Sequence, residues 1–364
     1  MKNVFGNAIT VTLFGESHGE AIGAVLDGIA PGIEIDMDYI KDKLIKRQAR
    51  GDISTPRKEP DEPIFLSGIK DGVTEGTPIA IIIRNTNTQS SAYSKLESIP
   101  RPSHADYAAE CKYHGYQDKR GGGHFSGRIT AALVACGAIL SRALIDKGIH
   151  IGTHIKSLHG VQDRPFDELC SDIKLLSELD FPVLDTDVKD KMIAEILCAK
   201  EKLDSVGGVL ETAITGLPSG VGEPWFDTVE GVLSHILFSV PAVKGVEFGG
   251  GFSLCDKYGS EANDAFGISD GKVITKTNSS GGINGGITNG MPIIFRTAIK
   301  PTPSISAVQE SVNLETMEEC TLSVGGRHDP AIIHRARAVI DAVAAIAIAD
   351  LLTVRFGTDY LKNS

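Results

Sequence analysis

Residues 15–32, "GESHGEAIGAVLDGIAPG", can be read in two ways, and the choice decides the fold class. Gly15-x-Ser17-x-Gly19 has the spacing of a nucleophile elbow, which requires a strand, a sharp turn at the serine and then a helix. The stretch after Gly19 is instead short, Gly-rich and apolar, and it reads as a returning strand that ends in the turn "DGIAPG" (27–32). The pattern predicts an antiparallel hairpin, strands 8–14 and 21–29, with Ser17 at its tip. A serine hydrolase using Ser17 stands as one alternative, and a non-catalytic binder of phosphorylated metabolites as another.

Landmarks of this region recur later in the same order. "DGIAPG" (27–32) matches "TGLPSG" (215–220), and helical patterns come after each, over 38–48 and 227–238. "TEGTPIAI" (74–81) matches "TNGMPIIF" (288–295), a turn feeding a strand. "GRITAALVACGAIL" (127–140) matches "GRHDPAIIHRARAVI" (326–340), and both run into long apolar helices. Apolar nearly all round, these helices should be central and covered on several sides. The expectation is an α+β fold, long central helices sandwiched by antiparallel sheets. It is a single domain over 1–364 with two pseudo-repeated halves, roughly 1–160 and 203–356, joined by the charged connector 163–202.

Composition narrows the function. A chain of 364 residues, 41% hydrophobic, can bury a large core. Its net charge of −11 argues against a general nucleic-acid binder, which needs a basic footprint. The six cysteines form no Cys-x-x-Cys pair, so neither a zinc site nor a disulfide framework is expected. "MKNVFGNAIT" has no signal-peptide pattern, and the apolar stretches 129–145 and 336–354 carry Arg142 or Asp341 and Asp350. A cytoplasmic protein, with no membrane partner, is the expectation. Phosphate-loop and Rossmann signatures fail: Arg128-Ile129 stands where Lys-Ser/Thr is needed, and no Gly-x-Gly-x-x-Gly opens a helix after a strand.

There remains a set of Gly-rich loops holding His or Arg: His18; Arg47 and Arg50; Arg101 and His104; Arg120, His124, Ser126 and Arg128; 281–290; 300–304; and Arg327, His328 and Asp329. Glycines let backbone N–H groups approach an anion, and guanidinium forks suit phosphate and carboxylate. Plainer roles stand beside these. The lysines of 41–50 read as a solvated helix face, Ser126 as a helix cap, and Asp329-Pro330 as an N-cap with proline at N1. His150, His154, His159 and His235 read as structural or surface residues. The residues alone indicate an α+β enzyme that binds a multiply anionic small molecule and uses histidines for proton work.

At these loops the sequence resembles the chorismate synthase family, in order through "TLFGESHG", "DGIAPG", "TPRKEPDE", "RPSHADYA", "GGGHFSGR", "VKGVEFGGGF", "NSSGGINGGITNG", "KPTPS" and "GGRHDP". The resemblance implies a lyase of the shikimate pathway that converts 5-enolpyruvylshikimate 3-phosphate to chorismate by 1,4-elimination. It also implies reduced FMN as cofactor, NADPH as a reductant in some members, no metal, and a homotetramer. By position, it places His18 near the departing phosphate, His104 beside the flavin, and Asp329 as a proton-relaying carboxylate. It gives flavin contacts to His124, Phe125, Ser126, Pro241, Ala242, Gly285, Lys300, Pro301, Thr302, Pro303, Ser304 and Arg327, and substrate contacts to Arg47, Arg101 and Arg128. Three positions depart from the family pattern. His124-Phe125-Ser126-Gly127-Arg128 replaces Arg-Ser-Ser-Ala-Arg, Asp52 stands where a second anion-binding Arg is common, and Ser103 replaces Gly.

Overall fold

Residues 2–55, 59–86, 98–167, 170–325 and 328–362 are described by the computed structural model of the chain. The hairpin forms. β2 (Thr10–Gly15) pairs antiparallel with β3 (Ala21–Asp27), with Gly15 opposite Ile22. Together with β1 (Val4–Phe5), β4 (Pro63–Phe65) and β5 (Ile79–Arg84), they make a sheet in the order β1-β2-β3-β5-β4. A second sheet contains β6 (His150–Leu158), β7 (Val161–Gln162), β8 (Gly208–Thr215), β9 (Val243–Phe248) and β10 (Ile293–Ile299), in the order β9-β10-β8-β6-β7. Along β5 and β10, buried residues alternate with partly exposed ones, the pattern of strands with one face on a core.

The longer helices that accompany the sheets are α1 (Met37–Arg47), α2 (Asp106–Tyr113), α3 (Thr130–Asp146), α4 (Thr186–Glu201), α5 (Val229–Leu237) and α6 (Ile333–Phe356). The strand order β2-β3-β5-β4 corresponds to β6-β8-β10-β9, α1 comes after β3 as α5 does after β8, and α3 lies downstream of β5 as α6 does of β10. Asp36 caps α1 by accepting from Tyr39 N at 2.9 Å, and Thr228 caps α5 through Gly231 N at 2.9 Å. The connector holds α4 and is pinned to α6 by Arg337, which donates to the carbonyls of Leu176 and Leu179.

α3 and α6 pack on each other, the first sheet covering α3 and the second covering α6. Their closest approach needs a glycine: a Cβ on Gly137 would lie 2.5 Å from Ala342 Cα. The segment Gly127–Asp146 is apolar and long enough to cross a membrane, but 78% of its apolar window is buried, which makes it a core helix. Cys136 within it is fully buried, and burial pushes its thiol up to about 12. Asp350 of α6, 1% exposed, accepts from the backbone N–H groups of Asn7, Ala8 and Ile9 at 3.0, 2.7 and 2.9 Å. That carboxylate ties the first residues of the chain to its last helix.

His154 has no exposed surface, and its sequence context gave no hint of its partners. Nδ1 lies 2.9 Å from Asp163 Oδ2 and Nε2 lies 3.0 Å from Glu211 Oε2, so a doubly protonated ring satisfies both carboxylates. Burial disfavours the cation, but the two carboxylates outweigh it and the imidazole pKa is raised. Burial likewise opposes ionisation of Asp163 and Glu211, and His154 outweighs it, so both are lowered. The histidine's contribution to stability is complete below its unfolded value of about 6.5 and is lost as pH rises through the raised folded value. The carboxylates contribute above their unfolded values of about 4 and lose that contribution as pH falls through the lowered ones. Melting temperature should therefore fall on both sides of a plateau, and His154→Gln should flatten the alkaline limb. An alkaline limb identical to the parent's would show that the ring is neutral.

Candidate active site

The Gly-rich segment Arg120–Phe125 runs between two of the histidines. Gly121, Gly122 and Gly123 have φ of +62°, +105° and +53°, a succession that side chains oppose. A Cβ on Gly121 would sit 2.0 Å from His18 Cε1, and one on Gly122 would sit 3.5 Å from His104 Nε2. One loop thus touches both rings, and Ser17 N donates to Gly123 O at 3.1 Å to hold the hairpin tip beneath it.

That burial settles the reading of Ser17. The hydroxyl, on a residue 1% exposed, donates to Arg120 O at 3.3 Å and lies 3.1 Å from His18 Nδ1. Buried at the tip of a hairpin with a strand after it, the hydroxyl lacks both the strand–turn–helix frame and the access of a nucleophile elbow. Ser17 orients His18, and the hydrolase reading is corrected on this geometry.

A cleft of about 1000 Å³ draws its lining from residues between 2 and 133 and between 235 and 335, and Gly121 lies in its wall. The ends of four helices supply much of the lining: Arg47 from the last turn of α1, Gly127–Thr130 at the start of α3, Ile236 through Val243 at the end of α5, and Asp329 to Arg335 at the start of α6. Of the residues singled out in the sequence, Arg47, Arg101, His104, His124, Phe125, Ser126, Arg128, Pro241, Ala242, Lys300, Thr302, Pro303, Ser304 and Asp329 line this cleft. His18 lies behind Gly121. Pro301 and Gly285 are not in the lining; Gly285 is exposed at the tip of the hairpin that pairs Ile283–Asn284 with Ile287–Thr288. Arg327 falls outside the described residues.

Cations and carboxylates are paired around the cleft. Arg101 grips Asp106 through Nε and Nη2, both at 2.7 Å, and reaches Ser304 Oγ at 3.2 Å. His104 Nδ1 lies 2.6 Å from the same carboxylate, whose ionisation these partners strongly favour against the opposing effect of burial. Such a contact fixes the ring with its Nδ1 proton towards Asp106 and Nε2 towards Gly122. His124 donates from Nδ1 to Gly15 O at 2.8 Å. Ser126 Oγ accepts from Arg128 N at 3.2 Å, the capping role read in the sequence. Burial lowers Lys300, whose ammonium donates to Ser103 O.

Arg47 is 6% exposed, so it is not part of a solvated helix face; of the neighbouring lysines Lys41 is exposed, whereas Lys46 is largely covered and pairs with Asp42 and Ser177 O. Its Nη2 pairs with Asp61 at 2.9 Å, and its Nη1 reaches Gly127 O and Thr130 Oγ1, both at 3.3 Å. Arg47 Nε is buried with no acceptor among the described residues. A donor orphaned at a cleft wall calls for an acceptor from a ligand. Arg50 instead pairs with Asp180 at the surface and is absent from the lining, so it does not take the place of an arginine at Asp52.

Asp329 is not a helix cap. α6 begins at Ile333 with Ile332 in the cap position, while Pro330 O accepts from Val206 N at 2.8 Å. The carboxylate accepts from Thr55 N at 3.0 Å and from Arg335, and so is held at the cleft by residues far from it in sequence and near it alike. Sequence reasoning gave no functional role to Asp61, Glu59, Arg335, Lys244 or His235, all of which line the cleft. His235 is exposed, as a surface histidine is, and packs edge-on against Phe5 at 5.4 Å.

Comparison with known proteins gives one answer. The family model described as chorismate synthase matches residues 9–353. The chain is 46% identical over 350 residues to the chorismate synthase of Pyrococcus abyssi, covering 96% of this chain and 97% of that protein. It is 44% identical over 366 residues to that of Methanobrevibacter smithii, covering 100% and 99%. A solved structure titled "Crystal Structure of Chorismate Synthase" superposes with a TM-score of 0.75 at 28% identity, covering 98% of this chain and 95% of that one.

The loop geometry makes a specific demand. Gly121→Ala should displace the His18 ring by on the order of 1 Å and reduce turnover about a hundredfold in a folded protein. Steady-state kinetics with a melting curve checks this; parental turnover would mean that the ring is not held for chemistry.

Proposed function

The chain belongs to the chorismate synthase family, and we propose that its elimination runs in the cleft between the two halves, with reduced FMN bound beside the substrate. The reaction is the conversion of 5-enolpyruvylshikimate 3-phosphate to chorismate and phosphate, a step of the shikimate pathway. The observation that carries this placement is the buried, unaccepted Nε of Arg47 in a wall shared with His104 and Asp329.

The residues present fit the cofactor. At about 1000 Å³ the cleft is at the upper end of what one small ligand occupies, leaving space for a substrate as well. Backbone at 124–125, the Ala242 N–H, Lys300 and Ser304 offer the donors that a flavin phosphate and dione edge need. When bound, reduced FMN supplies the transient electron density that no side chain can. Arg47 binds the phosphate ester, and His18, behind the Gly121 backbone, offsets charge on the phosphate as it departs. His104, oriented by Asp106, holds a proton or positive charge at Nε2. Asp329 accepts the proton lost from the ring and passes it onward. Arg101 and Arg128 hold these groups in register, since most of their donors are already engaged by protein acceptors.

We read the chain as one domain of two pseudo-repeated halves and the active form as a cytoplasmic homotetramer, with NADPH as a reductant for the flavin. Sedimentation and an NADPH oxidation assay test those readings directly. For the site itself, phosphate release under anaerobic conditions should require reduced FMN. Asp329→Asn keeps one oxygen, which can still accept from Thr55 N, and gives up the ion pair with Arg335; it should fold and bind flavin while turnover falls roughly a hundredfold or more. Full activity in a folded Asn variant would remove Asp329 from proton transfer.

A further inference from the structure

Beneath the cleft, two guanidinium groups from distant segments share a single carboxylate. Asp61, 2% exposed, accepts Arg47 Nη2 on Oδ2 at 2.9 Å and Arg128 Nη1 on Oδ1. Arg47 ends α1, and Arg128 lies in the turn of 3₁₀ helix Gly127–Ile129 that leads into α3. We propose that Asp61 is a positioning residue for the anionic substrate: by gripping both arginines it fixes the guanidinium of Arg47 in the cleft wall where the phosphate ester binds. This rests on the reading of Arg47 as the anion ligand.

The hydrogen bonds of the two arginines divide the labour. Every nitrogen of Arg128 is engaged: Nε with Asn85 Oδ1 at 2.9 Å, Nη1 with Asp61, and Nη2 with Arg84 O at 3.1 Å and Glu59 at 3.2 Å. Arg128 is therefore a frame. Arg47 is held at Nη1 and Nη2 and left open at Nε. The frame extends further, because Asn85 Nδ2 donates to Glu16 O and Gly19 O, both at 2.9 Å, on either side of His18. Asp61, Arg128 and Asn85 thus connect the anion ligand to the turn carrying the histidine.

Backbone and charge support the assignment. Asp61 has φ of +49°, in the left-handed region that few non-glycine residues adopt and that Asp tolerates better than most. Burial lowers the Arg47 guanidinium, with Arg335 and Arg128 reinforcing the shift against the pull of Asp61. Asp61 is lowered overall, because its two arginine partners outweigh burial. The carboxylate is thus fully compensated, whereas Arg47 still gains from a further anion.

The test is steady-state kinetics with reduced FMN, alongside flavin affinity by fluorescence quenching and a melting curve. Asp61→Asn should raise the KM for substrate about tenfold or more, the cost of one misdirected charge-assisted hydrogen bond, while flavin affinity stays at the parental value. Asp61→Glu keeps the charge but shifts the carboxylate by one methylene; it should fold with a lowered melting temperature, because the larger side chain enters a buried site, and still raise KM. It carries the test if Asp61→Asn does not fold. Arg47→Lys separates the layers. Raised KM in Arg47→Lys with parental KM in a folded Asp61 variant overturns the positioning role alone. Parental KM in Arg47→Lys overturns the anion reading and the proposal with it. Failure of both Asp61 variants to fold makes the residue a fold anchor and overturns the proposal too.

Discussion

The contact between α3 and α6 at Gly137 and Ala342 is the constraint on which the other layers depend. Two helices buried along most of their length must lie nearly backbone to backbone there, so each can carry a sheet on its opposite side. The spacing of the sheets is set by that approach, and with it the distance between their loops. A side chain at Gly137 would have to move one layer against the other, and close-packed interiors resist such movement.

The same helix pair explains why the cleft lies where it does. The starts of α3 and α6 open towards it, and the ends of α1 and α5 approach the same space, so corresponding parts of both halves line one site. Within that lining Arg47, Glu59, Asp61 and Arg128 form a charged cluster, whereas Ile236, Phe238, Val240, Pro241 and Val243 make an apolar stretch along the end of α5. A charged cluster and an apolar stretch in one cleft suit a phosphorylated substrate beside a flat aromatic cofactor.

Local patterns were legible in the sequence wherever they alone determined structure. The returning strand after Gly19, the recurrent turn-plus-strand landmarks and the all-apolar helices each depend on residues near in sequence, and each formed at its expected place, the hairpin strands within two residues of their expected bounds. Asp329 shows where such reasoning stops. Its Asp-Pro pair has a cap's composition, but Pro330 O is taken by Val206, and the helix opens three residues later. Arg47 was indistinguishable by pattern from Lys41, Lys43 and Lys46, because its burial depends on Asp61 and Thr130. The family resemblance selected it; local chemistry did not. Gly285 shows the converse, since a position taken from family motifs lies outside this chain's own cleft.

The carboxylate of Asp350 has a consequence for how the molecule is made. Its three acceptor bonds bridge 341 to 343 residues of separation, so the loop before β2 stays unsatisfied until α6 has been synthesised and packed. A ribosome releasing the first sheet early exposes β1, β2 and the hairpin tip without the helix that anchors them. Contacts this distant in sequence slow folding and prolong the life of incomplete states with unpaired strand edges. The order of the chain thus sets an order of assembly: strands from the first thirty residues acquire this anchor only when α6 is in place.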